Sequence, residues 1–427
     1  MLPDWRTGAT NSLVDVTGLR VGHAHRVGGG YRTGTTVVLA PAAGAVAGVD
    51  VRGAAPGTRE TELLDPRNLV ERVHAVVLSG GSAFGLSAAC GVMSRLADAG
   101  AGFPVAGGVV PIVPAAVIFD LGRGGTFRAV PDASMGTAAY DAATTPTTCT
   151  CPTTAPATTA PATTAPSSAA YACAVCGSGG GAAAGGGQAT GVAGAAGPFP
   201  ASRERTSARG GGGVADPALP SEGTPAPDGA VVCHRGPARG SVGAGTGAVA
   251  GGLAGGVGTA SVVLPDGSTV AALAVVNAAG SVLDPRDATL AGARYGLPGE
   301  FDHLLPPAPD EAAAWDPEKA PSFNTTIGIV ATDRTLTKAQ CGKLAAVAHD
   351  GLARAIRPAH TMTDGDTIFG LATCARPAPR RDTFQDVLAA AADVFSRAVA
   401  DAVLAATGRP DAPAYLDVFP SALRSRP

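Results

Sequence analysis

Ser322-Phe323-Asn324-Thr325-Thr326-Ile327-Gly328-Ile329-Val330-Ala331-Thr332-Asp333 places two hydroxyl residues at the mouth of a β-forming run, directly after an Asn. As local structure, Thr325 to Val330 read as the β-formers of a buried strand, with Asn324 ending a turn. As chemistry, the same residues suit a peptide bond that cuts itself. A Thr hydroxyl has no base of its own, but once the preceding bond breaks, the new terminal amine lies within reach of that hydroxyl and can take its proton. Asn324-Thr325-Thr326 also fits a glycosylation sequon, which has meaning only in a secreted eukaryotic protein. The local pattern accommodates all of these.

Working outward, Thr337-Lys338-Ala339-Gln340 is a capping-box signal opening a long helix, with Cys341, Leu344, Ala345, Ala348, Leu352, Ala355 and Ile356 on one face and Pro358 as its stop. A strand over Asp366 to Thr373 and a last apolar helix over Phe384 to Ala406 are expected next. Upstream, Val262 to Asn277 reads as two strands about the turn at Asp266-Gly267. The amino-terminal part alternates β-rich runs and Gly turns over Leu13 to Val21, Thr35 to Leu39 and Ala45 to Val51. A helical stretch over Thr61 to Val73, a strand over His74 to Leu78 and a helix over Ser82 to Ala99 follow. Strands grouped with strands and helices grouped separately define an α+β fold.

Residues 144–238 differ in kind. Tandem Thr-Ala-Pro units, Gly runs and few large apolar residues mark an insertion expected to be disordered, interrupting a single catalytic domain. Cys149, Cys151, Cys173 and Cys176 lie within it in pairs that could bind zinc, but the surrounding sequence offers little to hold a tetrahedral site, so no zinc is expected there. Cys90, Cys341 and Cys374 read as core. His23 and His25 fall in a strand-like region and are expected on its surface.

A net charge of −3 without a basic cluster argues against a nucleic-acid partner. Residues 99–119 carry no charge, yet Pro104, Pro111, Pro114 and four Gly would break a membrane helix, so two buried strands joined by a turn are expected. The run from Gly240 to Pro265 fails as a span for the same reason. The first residues, Met1 to Arg6, lack the pattern of a secretory signal, and a cytoplasmic location is the default expectation.

Three motifs precede the Thr325 strand in order: Gly48 to Thr61, including Asp50-Val51-Arg52-Gly53; Leu78-Ser79-Gly80-Gly81-Ser82-Ala83-Phe84-Gly85-Leu86; and Val109 to Asp120. With them the chain resembles the L-aminopeptidase/D-esterase family of self-processing hydrolases, which includes β-aminopeptidases and the endo-acting nylon-oligomer hydrolase. The resemblance covers about residues 10–143 and 239–407. It implies a four-layer αββα sandwich and cleavage between Asn324 and Thr325 into residues 1–324 and 325–427. Thr325 is then the nucleophile, and Asn277, which ends the strand before Ala278-Ala279-Gly280, is the oxyanion donor. Taken alone, Asn277 equally suits a turn. Asp364 and Asp366 can face one pocket or serve as turn residues, and the family pattern matches them to the acidic pair beside the nucleophile of the nylon-oligomer hydrolase.

The resemblance further implies a small peptide or amide-oligomer substrate, no metal, nucleotide or other cofactor, and a tetramer of processed heterodimers. One departure stands out. Family members carry a Lys shortly after the motif matched by Gly243 to Gly247, at a place corresponding to Gly252 or Ala254, whereas this chain's lysines are Lys319, Lys338 and Lys343. Either another cation takes that role, or processing and activity are impaired. An acyltransferase akin to ornithine acetyltransferases and a non-processing, inactive relative are the alternative readings. Gly80 to Gly85 lacks nucleophile-elbow spacing and reads as a close-packed strand-to-helix turn.

Overall fold

The computed structural model describes residues 4–145, 229–317 and 323–424. Two six-stranded sheets form its centre. The first holds β1 (Arg20–Gly28), β2 (Tyr31–Leu39), β4 (Thr58–Arg59), β6 (Ala75–Ser79), β9 (Ala115–Val117) and β10 (Val232–Arg235), in the order β10-β1-β2-β6-β9-β4. The second holds β3 (Ala45–Val51), β5 (Arg72–Val73), β13 (Gly256–Val263), β14 (Thr269–Val276), β15 (Ile327–Arg334) and β16 (Thr367–Arg376), in the order β13-β14-β15-β16-β3-β5. Two small hairpins, β7–β8 (Phe103–Val105, Gly108–Val110) and β11–β12 (Val249–Ala250, Leu253–Ala254), complete the strands.

The two faces of each sheet explain the layers. On β15, Ile327, Ile329 and Ala331 point between the sheets with Leu273, Val275, Phe369 and Leu371 of the second sheet and Val38, Val76 and Leu78 of the first. Val330 points the other way, into the cluster formed with helices α4 (Lys338–Ala355) and α5 (Arg381–Leu404). Helices α1 (Ala88–Asp98) and α2 (Ala133–Thr144) cover the outer face of the first sheet through Val92, Leu96, Met135 and Ala139, against Val37, Leu39 and Val77. The result is the expected αββα sandwich. Because the middle strands are buried on both faces, β14 and β15 read as near-continuous apolar runs.

The elements around Thr325 follow their local signals. Thr337 accepts a hydrogen bond from Gln340 N–H at 3.2 Å and Gln340 Oε1 accepts from Thr337 N–H at 2.9 Å, a completed capping box that starts α4. Helix α4 ends at Ala355, ahead of Pro358. Gly351 lets α5 approach closely, since a Cβ there would lie 2.1 Å from Ala392 O. Two short helices, α3 (Pro309–Ala314) and α6 (Tyr415–Val418), flank the sandwich. None of the described helices is long and apolar enough to cross a membrane.

Several expectations are corrected. Leu13–Asp15 is a 3-10 turn and the first strand begins at Arg20. Thr61 to Val73 holds only a 3-10 turn at Glu62–Leu64 and the short β5, because Pro66 and the Asp65–Arg67 turn contacts interrupt any helix. The hairpin β7–β8 is largely exposed, and burial begins only at Pro111, running through β9 to Ile118. Most of the 144–238 segment, with the four Cys of the considered zinc site, lies outside the described residues. Its end does not: Val232–Arg235 forms the edge strand β10 against β1, pairing His23 with His234. That strand covers His23, which is buried along with His25, and burial pushes the His23 imidazole down to about 3.

Candidate active site

One end of the second sheet gathers the candidate residues. Strand β14 ends into Asn277, antiparallel β15 begins just after Thr325-Thr326, and β16, parallel to β15, begins just after Asp364-Gly365-Asp366. The ladder continues past its last formal pair. Thr325 N–H donates to the backbone oxygen of Asn277 at 2.6 Å, and Asn324 bridges to Asp364. Thr325 is 5% exposed and Asn277 fully buried.

At Thr325 the hydroxyl donates to the oxygen of the preceding carbonyl, Asn324 O, at 2.5 Å. Gly365 N–H points at the same pair, 3.2 Å from Asn324 O and 3.2 Å from Thr325 Oγ1. One backbone donor is therefore shared between the Asn324 carbonyl oxygen and the Thr325 hydroxyl. Side-chain bulk at residue 365 would disturb it, because a Cβ there would lie 2.9 Å from Thr325 Oγ1 and 2.6 Å from Ala55 O.

The two carboxylates brought to this loop act on its backbone. Asp364 Oδ2 accepts from Thr361 N–H at 2.9 Å and from its hydroxyl at 2.7 Å. Asp366 Oδ1 accepts from Thr326 N–H at 2.8 Å, while its Oδ2 accepts from the N–H of His360 and meets the His360 ring Nδ1 at 2.7 Å. Neither carboxylate bonds the Thr325 hydroxyl. The pair instead fixes the backbone on either side of Gly365, through Thr326, His360 and Thr361.

Asn277 is held from three sides. Its Nδ2 donates to Phe119 O at 3.2 Å, and its Oδ1 accepts from Val249 N–H at 3.1 Å and from Arg123 Nη1 at 2.5 Å. The same Arg123 nitrogen reaches Gly247 O at 2.5 Å. Burial pulls the Arg123 guanidinium down to about 10, so it remains charged at neutral pH. Asp120 lies beside it, accepting from Thr33 Oγ1 and from Gly81 N–H, both at 2.6 Å, and burial pushes its carboxyl up to about 6. The Gly80-Gly81 turn thus contributes a backbone donor to this acid.

Arg123 is a cation placed at Asn277 and Gly247, a stretch in which the sequence carries no Lys. It arrives from the loop after β9 in the other sheet, a Gly-rich stretch in which it is the only cation between Leu121 and Gly125. Of the two positions where the family pattern places Lys, Gly252 has φ +91° and a Cβ there would lie 2.5 Å from Pro317 Cβ. Ala254 is fully buried across the β11–β12 pair from Val249. Among the described residues no group of three or more His, Cys, Asp or Glu is placed to hold a metal ion.

Solved structures share this architecture. A β-aminopeptidase of Burkholderia sp. superposes with a TM-score of 0.58 at 19% identity, over 99% of this chain and 96% of the other. The L-aminopeptidase D-Ala-esterase/amidase of Ochrobactrum anthropi, a variant of the Ntn-hydrolase fold, does so with 0.57 at 18%, over 95% and 90%. The chain belongs to peptidase family S58, whose model matches residues 11–150 and 222–411. An uncharacterized aminopeptidase of Mycobacterium leprae is 41% identical over 96% of this chain and 95% of its own, and one of Mycobacterium tuberculosis is 40% identical over 97% and 100%. The 6-aminohexanoate-oligomer endohydrolase of a Kocuria species is 34% identical over 33% of this chain and 36% of its own. The protein is accordingly a hydrolase acting on amide bonds.

Proposed function

We propose that the chain is a self-processing peptidase whose nucleophile is Thr325, released as a new amino terminus by cleavage of the Asn324–Thr325 bond. The observation that carries this reading is the Gly365 N–H shared between the scissile carbonyl oxygen and the Thr325 hydroxyl. In self-cleavage, Thr325 Oγ1 adds to the Asn324 carbonyl carbon, Gly365 N–H stabilises the oxyanion, and the C–N bond breaks as the hydroxyl proton passes to the Thr325 nitrogen. Water then hydrolyses the resulting ester.

The freed α-amine becomes the base for substrate turnover. Thr325 Oγ1 attacks the substrate amide, Asn277 Nδ2 supports the oxyanion, and the departing amine takes the proton before water releases the acyl group. Arg123 on Asn277 Oδ1 polarises that side-chain amide and makes its Nδ2–H a better donor. This contact supports an active enzyme over an inactive relative. Short peptides or peptide-like amides are the substrate class, and processed 1–324/325–427 heterodimers associating as a tetramer are the assembly.

Purified protein should resolve on a denaturing gel into two fragments, the smaller of 103 residues (427 − 324) beginning at Thr325. Thr325→Ala should abolish cleavage and hydrolysis together. Continued processing of the Ala variant would place the scissile bond elsewhere.

A further inference from the structure

A second feature of the site reaches beyond the contact of Arg123 with Asn277. Three Arg residues meet beside Gly247 and Asn277, Arg123 and Arg409 through their guanidinium groups and Arg32 through its backbone oxygen, 2.4 Å from where a Cβ on Gly247 would lie. Arg123 Nη1 reaches both Gly247 O and Asn277 Oδ1 at 2.5 Å. Arg409 Nη2 reaches Gly247 O at 3.4 Å and Ala248 O at 3.1 Å. Arg32 lies close enough that its charge disfavours that of Arg409. The carboxylates in the same field are Asp120 and Asp411. Three cations against two anions leave +1, and the Asp411 side chain, paired with Arg409 at 3.1 Å, is 55% exposed.

The donors are also incompletely used. The Arg409 side chain is only 4% exposed, yet among the described residues nothing accepts from its Nη1, and Arg32 Nε is likewise buried without an acceptor. Buried guanidinium N–H groups without acceptors are costly, and an excess positive charge there is more so. A planar fork of donors suits a carboxylate in particular. Since Arg123 touches Asn277 directly, an anion held by this cluster would sit beside the amide that supports the oxyanion.

We propose that Arg32, Arg123 and Arg409 form a carboxylate subsite, so that the enzyme selects amide substrates carrying a negative charge close to the scissile bond. This deepens the reading of Thr325 as nucleophile and rests on it for the position of the scissile bond. The carboxylate can come from the free C-terminus of a dipeptide or from an acidic side chain.

Binding separates the two sources without requiring turnover. In the Thr325→Ala chain, calorimetry would compare L-alanyl-L-alanine with its C-terminal amide, and L-alanyl-L-aspartate amide with L-alanyl-L-asparagine amide. The expected result is at least tenfold tighter binding of the charged member of one pair, reduced to within about twofold by Arg409→Gln. Arg32→Gln, which removes an unpaired donor and so costs less structure, should reduce the preference as well. Charged and neutral members binding within a factor of two in both pairs, with the three Arg intact, would overturn the proposal. Failure of the nucleophile reading would appear separately, as a wild-type chain that stays uncut.

Discussion

Replacing Arg123 by Met tests how the buried Asn277 amide is made effective. The substitution keeps a long apolar stem and removes the donor 2.5 Å from Asn277 Oδ1, leaving only Val249 N–H at 3.1 Å on that oxygen. Gly247 O retains a contact from Arg409 at 3.4 Å, so the loss falls mainly on Asn277. A hydrogen bond from a charged donor is worth about 1.5–3 kcal/mol, which corresponds to roughly 10- to 150-fold in rate if it is realised in the transition state. On a chromogenic amide that carries no carboxylate, kcat should fall within that range while KM changes little, and self-cleavage should be followed on gels alongside it. Asp120 would also lose a counter-charge that now pulls its carboxyl down against burial, so any acid limb of the rate profile set by Asp120 should move upward from about pH 6. Asn277→Ala should cost about 10²–10³ in rate, and adding Arg123→Met to it should cost little more, because the two act through one amide. Additive losses in the double variant, or a single variant as fast as wild type, would refute the coupling.

Gly365→Ala would place a methyl group 2.9 Å from Thr325 Oγ1 and 2.6 Å from Ala55 O, and should slow self-cleavage in a quenched time course. Unchanged processing would mean that the loop yields without moving the amide. Stability should fall on acidification from pH 6 towards 5, as followed by melting temperature. Burial pushes His23 down to about 3 and both His25 and His349 to about 4, so the unfolded chain binds these protons first, whereas Asp120 and Asp401, raised to about 6, work in the opposite direction. With His74 and His234 also lowered and Asp333 and Asp393 also raised by burial, the imidazoles still outnumber the carboxyls by one and leave a net loss on the order of 1 kcal/mol per pH unit; a melting temperature that rises on acidification would contradict it. A chain in which residues 146–228 are replaced by a short Gly-Ser linker should still melt cooperatively, since both sheets and their covering helices are formed by residues outside that range. Loss of the transition would show that the segment contributes to the core.

The fold was legible where one element announced itself locally. The capping box at Thr337, the stop before Pro358 and the doubly buried run of β15 each carry their own signal, and strand-with-strand grouping then dictates layers. Legibility failed where long-range pairing decides. Residues 20–28 form a nine-residue strand because β2 and β10 pair on either side of it, and the His23 and His25 expected at a surface are covered by β10, a strand more than 200 residues away in sequence. No local periodicity distinguishes a polar strand position that meets water from one that meets a returning edge strand.

The site divides along the same line, with one addition. Asn277 and Thr325 could be read as partners through the family resemblance, since Asn277 taken alone equally suits a turn, and the structure joins their backbones at 2.6 Å. Arg123 could not, since an isolated Arg in a Gly-rich loop of the other sheet gains its meaning only from the carbonyls and the amide it reaches. The acidic pair carries the further lesson. Asp364 and Asp366 drew attention as titratable groups, yet the atom set against the Asn324 carbonyl and the Thr325 hydroxyl is the N–H of the Gly between them. The carboxylates aim that N–H by tying down Thr361, Thr326 and His360 on either side. A backbone donor is present at nearly every residue and so leaves no mark in a sequence. What can be read is the machinery needed to hold it still, here two short acids flanking a residue with no side chain.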